Sequence, residues 1–183
     1  MPQKKQDYYK YLFYGLAGFA VILLLYVLFI SQMLRASIYV TAFIVLAMVL
    51  SNYKKFIKAP IEIELLTLGI VICTVKFGVK AGLVVAILGG ILSFIVGFNI
   101  SPFSLPMLLG YISIAISSYA FRAIDIAYIG IIASIINNII VFTIYNFMFD
   151  YDLFKNASFG LSNLVFNIII FLNIAPFLAG FIF

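Results

Sequence analysis

The run Ile124-Asp-Ile-Ala-Tyr-Ile-Gly-Ile-Ile-Ala-Ser-Ile-Ile-Asn-Asn-Ile-Ile-Val-Phe-Thr-Ile-Tyr-Asn-Phe-Met-Phe149 carries a single charge, Asp125, at its second position. A helix rises about 1.5 Å per residue and a bilayer's hydrocarbon core is about 30 Å thick, so about 20 apolar residues cross it. This run is long enough. A strand reading fails on texture, because a membrane barrel alternates apolar and polar residues with period two. Here, as in Ile70-Val-Ile-Cys-Thr-Val75 and Val165-Phe-Asn-Ile-Ile-Ile-Phe-Leu172, the apolar residues are continuous.

Outward from this run the pattern repeats. Further apolar stretches are Leu12–Ile30, Ala36–Ser51, Ile61–Val75, Ala81–Phe98, Phe103–Phe121 and Phe159–Phe183, giving seven expected helices. Ala36–Ser51 and Ile61–Val75 are shorter than a normal span. Of the 183 residues, 66% are hydrophobic and only 9% charged, and the mean hydropathy is +1.26. A soluble domain has about 45–50% apolar and about 25% charged residues, and so few charges cannot cover its surface. The expected fold is an all-α, polytopic transmembrane bundle. A single transmembrane domain, residues 12–183, follows a basic N-terminus, residues 1–11.

The connections supply the breakers and the charges. Asn52–Pro60 is basic, with Pro60 suited to a first helical turn. Asn99–Pro106 is a turn in which Ser101 or Ser104 is placed to cap the next helix, and Asp150–Ser158 reads as the most polar internal loop. A cleaved signal peptide has a shorter apolar core and a small-x-small cleavage site. Ser31-Gln-Met-Leu-Arg35 offers neither, so the first stretch reads as an anchored helix. With the N-terminus in the cytoplasm, Lys4, Lys5, Lys10, Lys54, Lys55, Lys58 and Lys155 fall inside. Arg35, Lys76, Lys80 and Arg122 then fall outside, so the positive-inside rule favours this orientation in the plasma membrane.

Absences exclude several chemistries. There is no His, which removes His-based acid–base work and His metal ligation. The one cysteine, Cys73, lies in an apolar run and reads as a packing residue. No P-loop, Gly-x-Ser-x-Gly or His-Glu-x-x-His pattern occurs. The net charge of +5 fits loops at an anionic membrane face rather than nucleic acid. Glu62, Glu64, Asp125, Asp150 and Asp152 all fall near expected helix ends, where the first three also suit the macrodipole. No cofactor, metal or enzymatic activity is expected.

Two patterns remain as candidates for function. Gly78, Gly82, Ala86 and Gly90 recur at i+4 and let a second helix backbone approach closely, either within the chain or from a partner subunit. Gly15 and Gly18 form a weaker stripe of the same kind. The second pattern is uncharged polar residues inside late apolar runs, where lipid penalises them. These are Asn137 and Asn138, then Asn163 and Asn167, then Ser113 and Ser117, with Asn173 beyond. Turned inward, they would line one cavity that hydrogen-bonds a neutral or zwitterionic small molecule. Bonded only to one another, they would be interhelical glue.

The segments Pro60-Ile-Glu-Ile-Glu-Leu-Leu66, Phe77-Gly-Val-Lys-Ala-Gly82, Gly89-Gly-Ile-Leu-Ser93, Leu105-Pro-Met-Leu-Leu-Gly-Tyr111 and Phe121-Arg122 carry a resemblance. They resemble the substrate-binding S components of energy-coupling-factor transporters, and are similar to the MreD rod-shape membrane proteins. Both are small six-helix-type bundles with a Gly-rich turn joining two early helices, and the resemblance covers Ala36–Phe183. The S-component likeness implies vitamin or metal uptake, in complex with a coupling membrane subunit and two ATPases. The MreD likeness implies a non-catalytic scaffold of cell-envelope assembly. Relative to the S components, the stretch 12–30 is an extra N-terminal helix.

Overall fold

The structure is a computed structural model, and it describes residues 14–15, 18–19, 21–23, 25, 32–52, 64–97, 100–102 and 104–182. Two compact units divide the chain, Met1–Ile38 and Tyr39–Phe183. In the first, Tyr14, Gly15, Gly18, Phe19, Val21, Ile22, Leu23 and Leu25 are helical. The rest of the expected helix 12–30, the basic segment 1–11, and Lys54, Lys55, Lys58, Pro60 and Glu62 lie outside the described residues.

The described elements are all helical. In chain order they are α1 (Gln32–Ser51), α2 (Leu66–Phe77), α3 (Val79–Val96), α4 (Ser104–Ala120), α5 (Ile126–Phe149), α6 (Leu153–Asn173) and α7 (Ala175–Phe181). Of these, α1, α3, α5 and α6 are long and apolar enough to cross a membrane. The outward side chains agree: Phe147 is 86% exposed, Phe154 80% and Met148 74%. Water would not leave so much apolar surface uncovered, whereas lipid does.

In the second unit α2 is the centre of the core. Leu66–Thr74 are buried without interruption, so this helix, only about 18 Å long at 1.5 Å per residue, is enclosed by protein. Phe43 of α1 packs on it so closely that a Cβ on Gly69 would lie 2.7 Å from Phe43 Cβ. Gly78 then turns the chain in one residue. Its φ of 94° is open to glycine and costly to other residues. Its N–H donates to Thr74 O at 2.9 Å, and its carbonyl accepts from Ala81 N at 3.1 Å.

The small-residue stripe therefore begins one member late, at Gly82. Gly78 stands at the corner and not on a helix face. The other three members are buried within the chain but serve different neighbours. A Cβ on Gly82 would collide with Thr74 Oγ1 of α2, whereas one on Gly90 would lie 3.0 Å from the Tyr111 ring of α4. Between them Val85–Gly89 forms a π turn with Ala86 buried inside it. One extra residue in that turn changes the register of the stripe.

Several boundaries differ from the sequence expectation; α1 begins at Gln32, four residues before the expected Ala36. Glu64 and Leu65 are not part of α2, which starts at Leu66 and continues to Phe77; residues 61–63 lie outside the described residues. The stretch Asp150–Ser158 is a loop only as far as Asp152. Asp150 is left-handed (φ 46°), and the Asp152 side chain accepts from Lys155 N at 2.8 Å, capping α6 at Leu153. Polar composition made this first turn look like loop, but the cap and the apolar pair Leu153-Phe154 start a helix. The expected helix 159–183 is broken at Ile174, after which α7 begins with Pro176 in its first turn, a position that tolerates proline's missing N–H.

At α4 it is the Ser101 N–H that donates to Ser104 Oγ, at 3.2 Å. At α5 Asp125 is the cap, accepting from Ala127 N at 2.8 Å.

Candidate functional site: a polar cavity at the late helices

The three-residue connection Asp150–Asp152 makes α5 and α6 an antiparallel pair. Their facing surfaces are where the amides meet. Asn138 Nδ2 of α5 donates to Asn163 Oδ1 of α6 at 3.1 Å and to its own helix at Ser134 O, 2.9 Å. Asn167 Nδ2, one turn along, donates to the same Asn163 oxygen at 3.0 Å. The first turn of α6 adds Asn156, whose Nδ2 reaches back to Phe142 O on α5 at 3.1 Å. Asn163 thus joins the two helices and fixes the rotamers around it.

Glu64, just before α2, completes the cluster. Its Oε2 accepts from Tyr111 OH at 2.5 Å, and its Oε1 accepts from Thr67 Oγ1 at 2.9 Å and from Asn163 Nδ2 at 3.5 Å. Elements distant in sequence, the lead-in to α2, α4 and α6, therefore converge on one carboxylate. All three partners are uncharged.

A cavity of about 40 Å³ lies among these groups. Its polar lining is Glu64, Tyr111, Asn137, Asn138, Asn156 and Asn163, with Tyr145 at one side; Met107, Val141, Phe142, Phe159 and Gly160 supply the apolar walls. One water needs about 10–15 Å³ measured this way, so there is room for about three. Asn137 is 5% exposed, and its Oδ1 has no hydrogen-bond partner. That oxygen packs against the backbone of Gly110, where a Cβ would strike it. Asn167 is fully buried, and its Oδ1 is likewise unpartnered.

The six residues singled out as a binding face are thus divided. Asn137, Asn138 and Asn163 line the cavity, and Asn167 stands behind Asn163 and bonds to it. Ser113 and Ser117 do not line it. Ser113 Oγ donates to Gly110 O at 2.6 Å and Ser117 Oγ to Ser113 O at 2.7 Å, so both hydroxyls are satisfied on their own helix. Asn173 is exposed and bonds to Ile169 O at 2.8 Å in the same manner. Sequence reasoning missed Glu64, Asn156, Tyr111 and Tyr145. It also made the pocket uncharged, which the Glu64 carboxylate corrects. A signal for Glu64 existed, in that it is one of six acidic residues in the whole chain and directly precedes an apolar helix.

Compared with known proteins, the chain matches no family model, no curated protein and no solved structure. What fold and site define is a class: among the described residues, an all-helical protein with four helices suited to crossing a membrane and a small polar cavity within its second unit.

Proposed function

We propose that this chain is a membrane-embedded substrate-binding subunit of a small-molecule uptake transporter, similar to an energy-coupling-factor S component. The observation that carries the reading is the cavity. Amides and a carboxylate held inside an otherwise apolar bundle are costly, and a ligand that satisfies them gives a reason for their presence. In this reading α1–α6 form the six-helix core, α7 extends the last of them, and the stretch 12–30 is the added N-terminal helix. The N-terminus is cytoplasmic, and the chain, itself non-catalytic and without nucleotide, works with a coupling membrane subunit and ATPases.

A second reading has an observation of its own. Asn138, Asn163 and Asn167 spend hydrogen bonds on one another, which is what helix glue does, and glue suits an MreD-like scaffold of envelope assembly. Affinity purification from native membranes separates the two. Recovery of ABC-type ATPases supports the transporter subunit; recovery of actin-like or peptidoglycan-synthesis proteins in their place overturns it.

A further inference from the structure

We propose that the cavity selects a compact organic cation of the ammonium or guanidinium type, with Glu64 as its counter-charge; this rests on the small-molecule reading above and names the substrate class.

Charge is the first argument. Glu64 faces the cavity, its hydrogen-bond partners are a tyrosine, a threonine and an asparagine, and among the described residues no basic side chain lines the cavity. A carboxylate in a low-dielectric site without a counter-charge is costly, and a cationic ligand supplies what the lining lacks. An anion would meet the repulsion of the Glu64 carboxylate.

Hydrogen-bond accounting points the same way. The donors around Glu64 are engaged within the protein: Tyr111 OH, Thr67 Oγ1 and Asn163 Nδ2 on the carboxylate, and Asn138 Nδ2 on Ser134 O and Asn163 Oδ1. Three donors sit on the carboxylate, which offers about four lone-pair sites, so it can accept a further N–H from a ligand.

The walls separate an organic cation from a metal ion. Tyr111, Phe142, Tyr145 and Phe159 line the cavity, and aromatic faces attract weakly hydrated cations. A divalent metal requires several hard oxygen ligands, and no cluster of three or more His, Cys, Asp or Glu occurs among the described residues. Size sets the scale. About 40 Å³ admits roughly three waters, and guanidinium, with four heavy atoms, is of that order.

The experiment uses purified full-length protein in nanodiscs and reads the thermal unfolding midpoint. Probes at millimolar concentration are guanidinium, its neutral isostere urea, sodium and potassium. The expected result is a saturable upward shift with guanidinium, and none with urea or the metal ions. Glu64→Gln should weaken the guanidinium response by about tenfold or more, while Ser113→Ala, outside the cavity lining and bonded to its own helix, retains it. If Glu64→Gln does not fold, the guanidinium–urea contrast in the unmodified protein decides. An equal shift with urea, or an equal shift with sodium or potassium, overturns the organic cation and leaves a small-ligand site standing. No shift with guanidinium overturns it as well. If, in addition, no member of a pool of neutral metabolites and vitamins shifts the midpoint, the substrate-binding function falls too.

Discussion

Around α2 nine consecutive residues, Leu66–Thr74, are buried against rings, methyl groups and glycine backbone, whereas the facing surfaces of α5 and α6 meet through amides and leave space between them. The two regions fail in different ways. The dry region has no room, so it should be sensitive to added volume and indifferent to lost hydrogen bonds. Thr74 Oγ1 and Ser118 Oγ are buried there without partners. The wet region has space, so it should accept a methyl group and suffer when an amide is removed.

The largest effect is expected where the dry core reaches between α5 and α6, beyond the cavity lining. A Cβ on Gly130 would collide with several atoms of the Phe171 ring, and Phe171 is fully buried with nowhere to turn. Gly130→Ala should cost about 3 kcal/mol, the upper end of ordinary overpacking, read as lost folded yield and a lowered Tm. Gly160 on the cavity wall is the control. The nearest atom to its added Cβ is Asn138 Oδ1 at 3.5 Å, so Gly160→Ala should be nearly silent. Similar losses for both variants would end the dry–wet distinction.

Gly110 lies on the border and should fall between them. Its added Cβ meets Val141 Cγ2 at 2.7 Å on one side and the Asn137 amide on the other. The valine is hemmed in, but the amide can swing toward the cavity, so Gly110→Ala should cost about 2 kcal/mol. It should also blunt ligand-induced stabilisation, because the swung amide occupies the space. A Tm loss with an unchanged ligand response would show that the amide does not move.

Within the wet region Asn163 should matter most. Its oxygen accepts from Asn138 and Asn167, and its Nδ2 donates to Glu64. Interhelical hydrogen bonds in membranes contribute about 0.6 kcal/mol each, so Asn163→Ala should cost about 1.5 kcal/mol and Asn138→Ala about half that. The double variant should show a coupling of about 0.6 kcal/mol from the bond they share. Full additivity would mean that the two amides act independently.

These contrasts also mark what the sequence can and cannot carry. Helix α5 is legible because length without charge is a local property, and the apolar run of Ile126–Phe149 states it directly. The inward turn of Asn137, Asn138, Asn163 and Asn167 follows from the cost of an amide in lipid. Glu64 is different. Its partners Tyr111 and Asn163 are 47 and 99 residues away, and no periodicity within one helix reports a meeting of three. The π turn at Val85–Gly89 is equally silent, because adding a residue to one turn alters which neighbour Gly82 and Gly90 face without altering their spacing in the chain. The start of α1 at Gln32 is hidden by Arg35, and the first turn of α6 by the polar string after Asp150, where a boundary set by charge ignores the Asp152 cap.

The smallest effect is expected at Ser113 and Ser117, the two hydroxyls that share the helical spacing of the amides but not their reach. A serine side chain ends one atom beyond Cβ, so in a helix it finds the carbonyl three or four residues back before it finds a neighbouring helix. Ser113 does so at Gly110 O and Ser117 at Ser113 O. Each of those oxygens has two lone pairs, and a backbone carbonyl bonded along the helix is not orphaned when the hydroxyl goes. An asparagine carries its donor and acceptor one bond further out, which is why Asn138 can bond to its own helix and to α6 together. Ser113→Ala and Ser117→Ala should therefore change stability by no more than about 0.5 kcal/mol and leave ligand-induced stabilisation intact. A Ser117→Ala variant that loses the ligand response while keeping its Tm would put this face of α4 into the binding site, and the cavity would then extend further along α4 than its present lining.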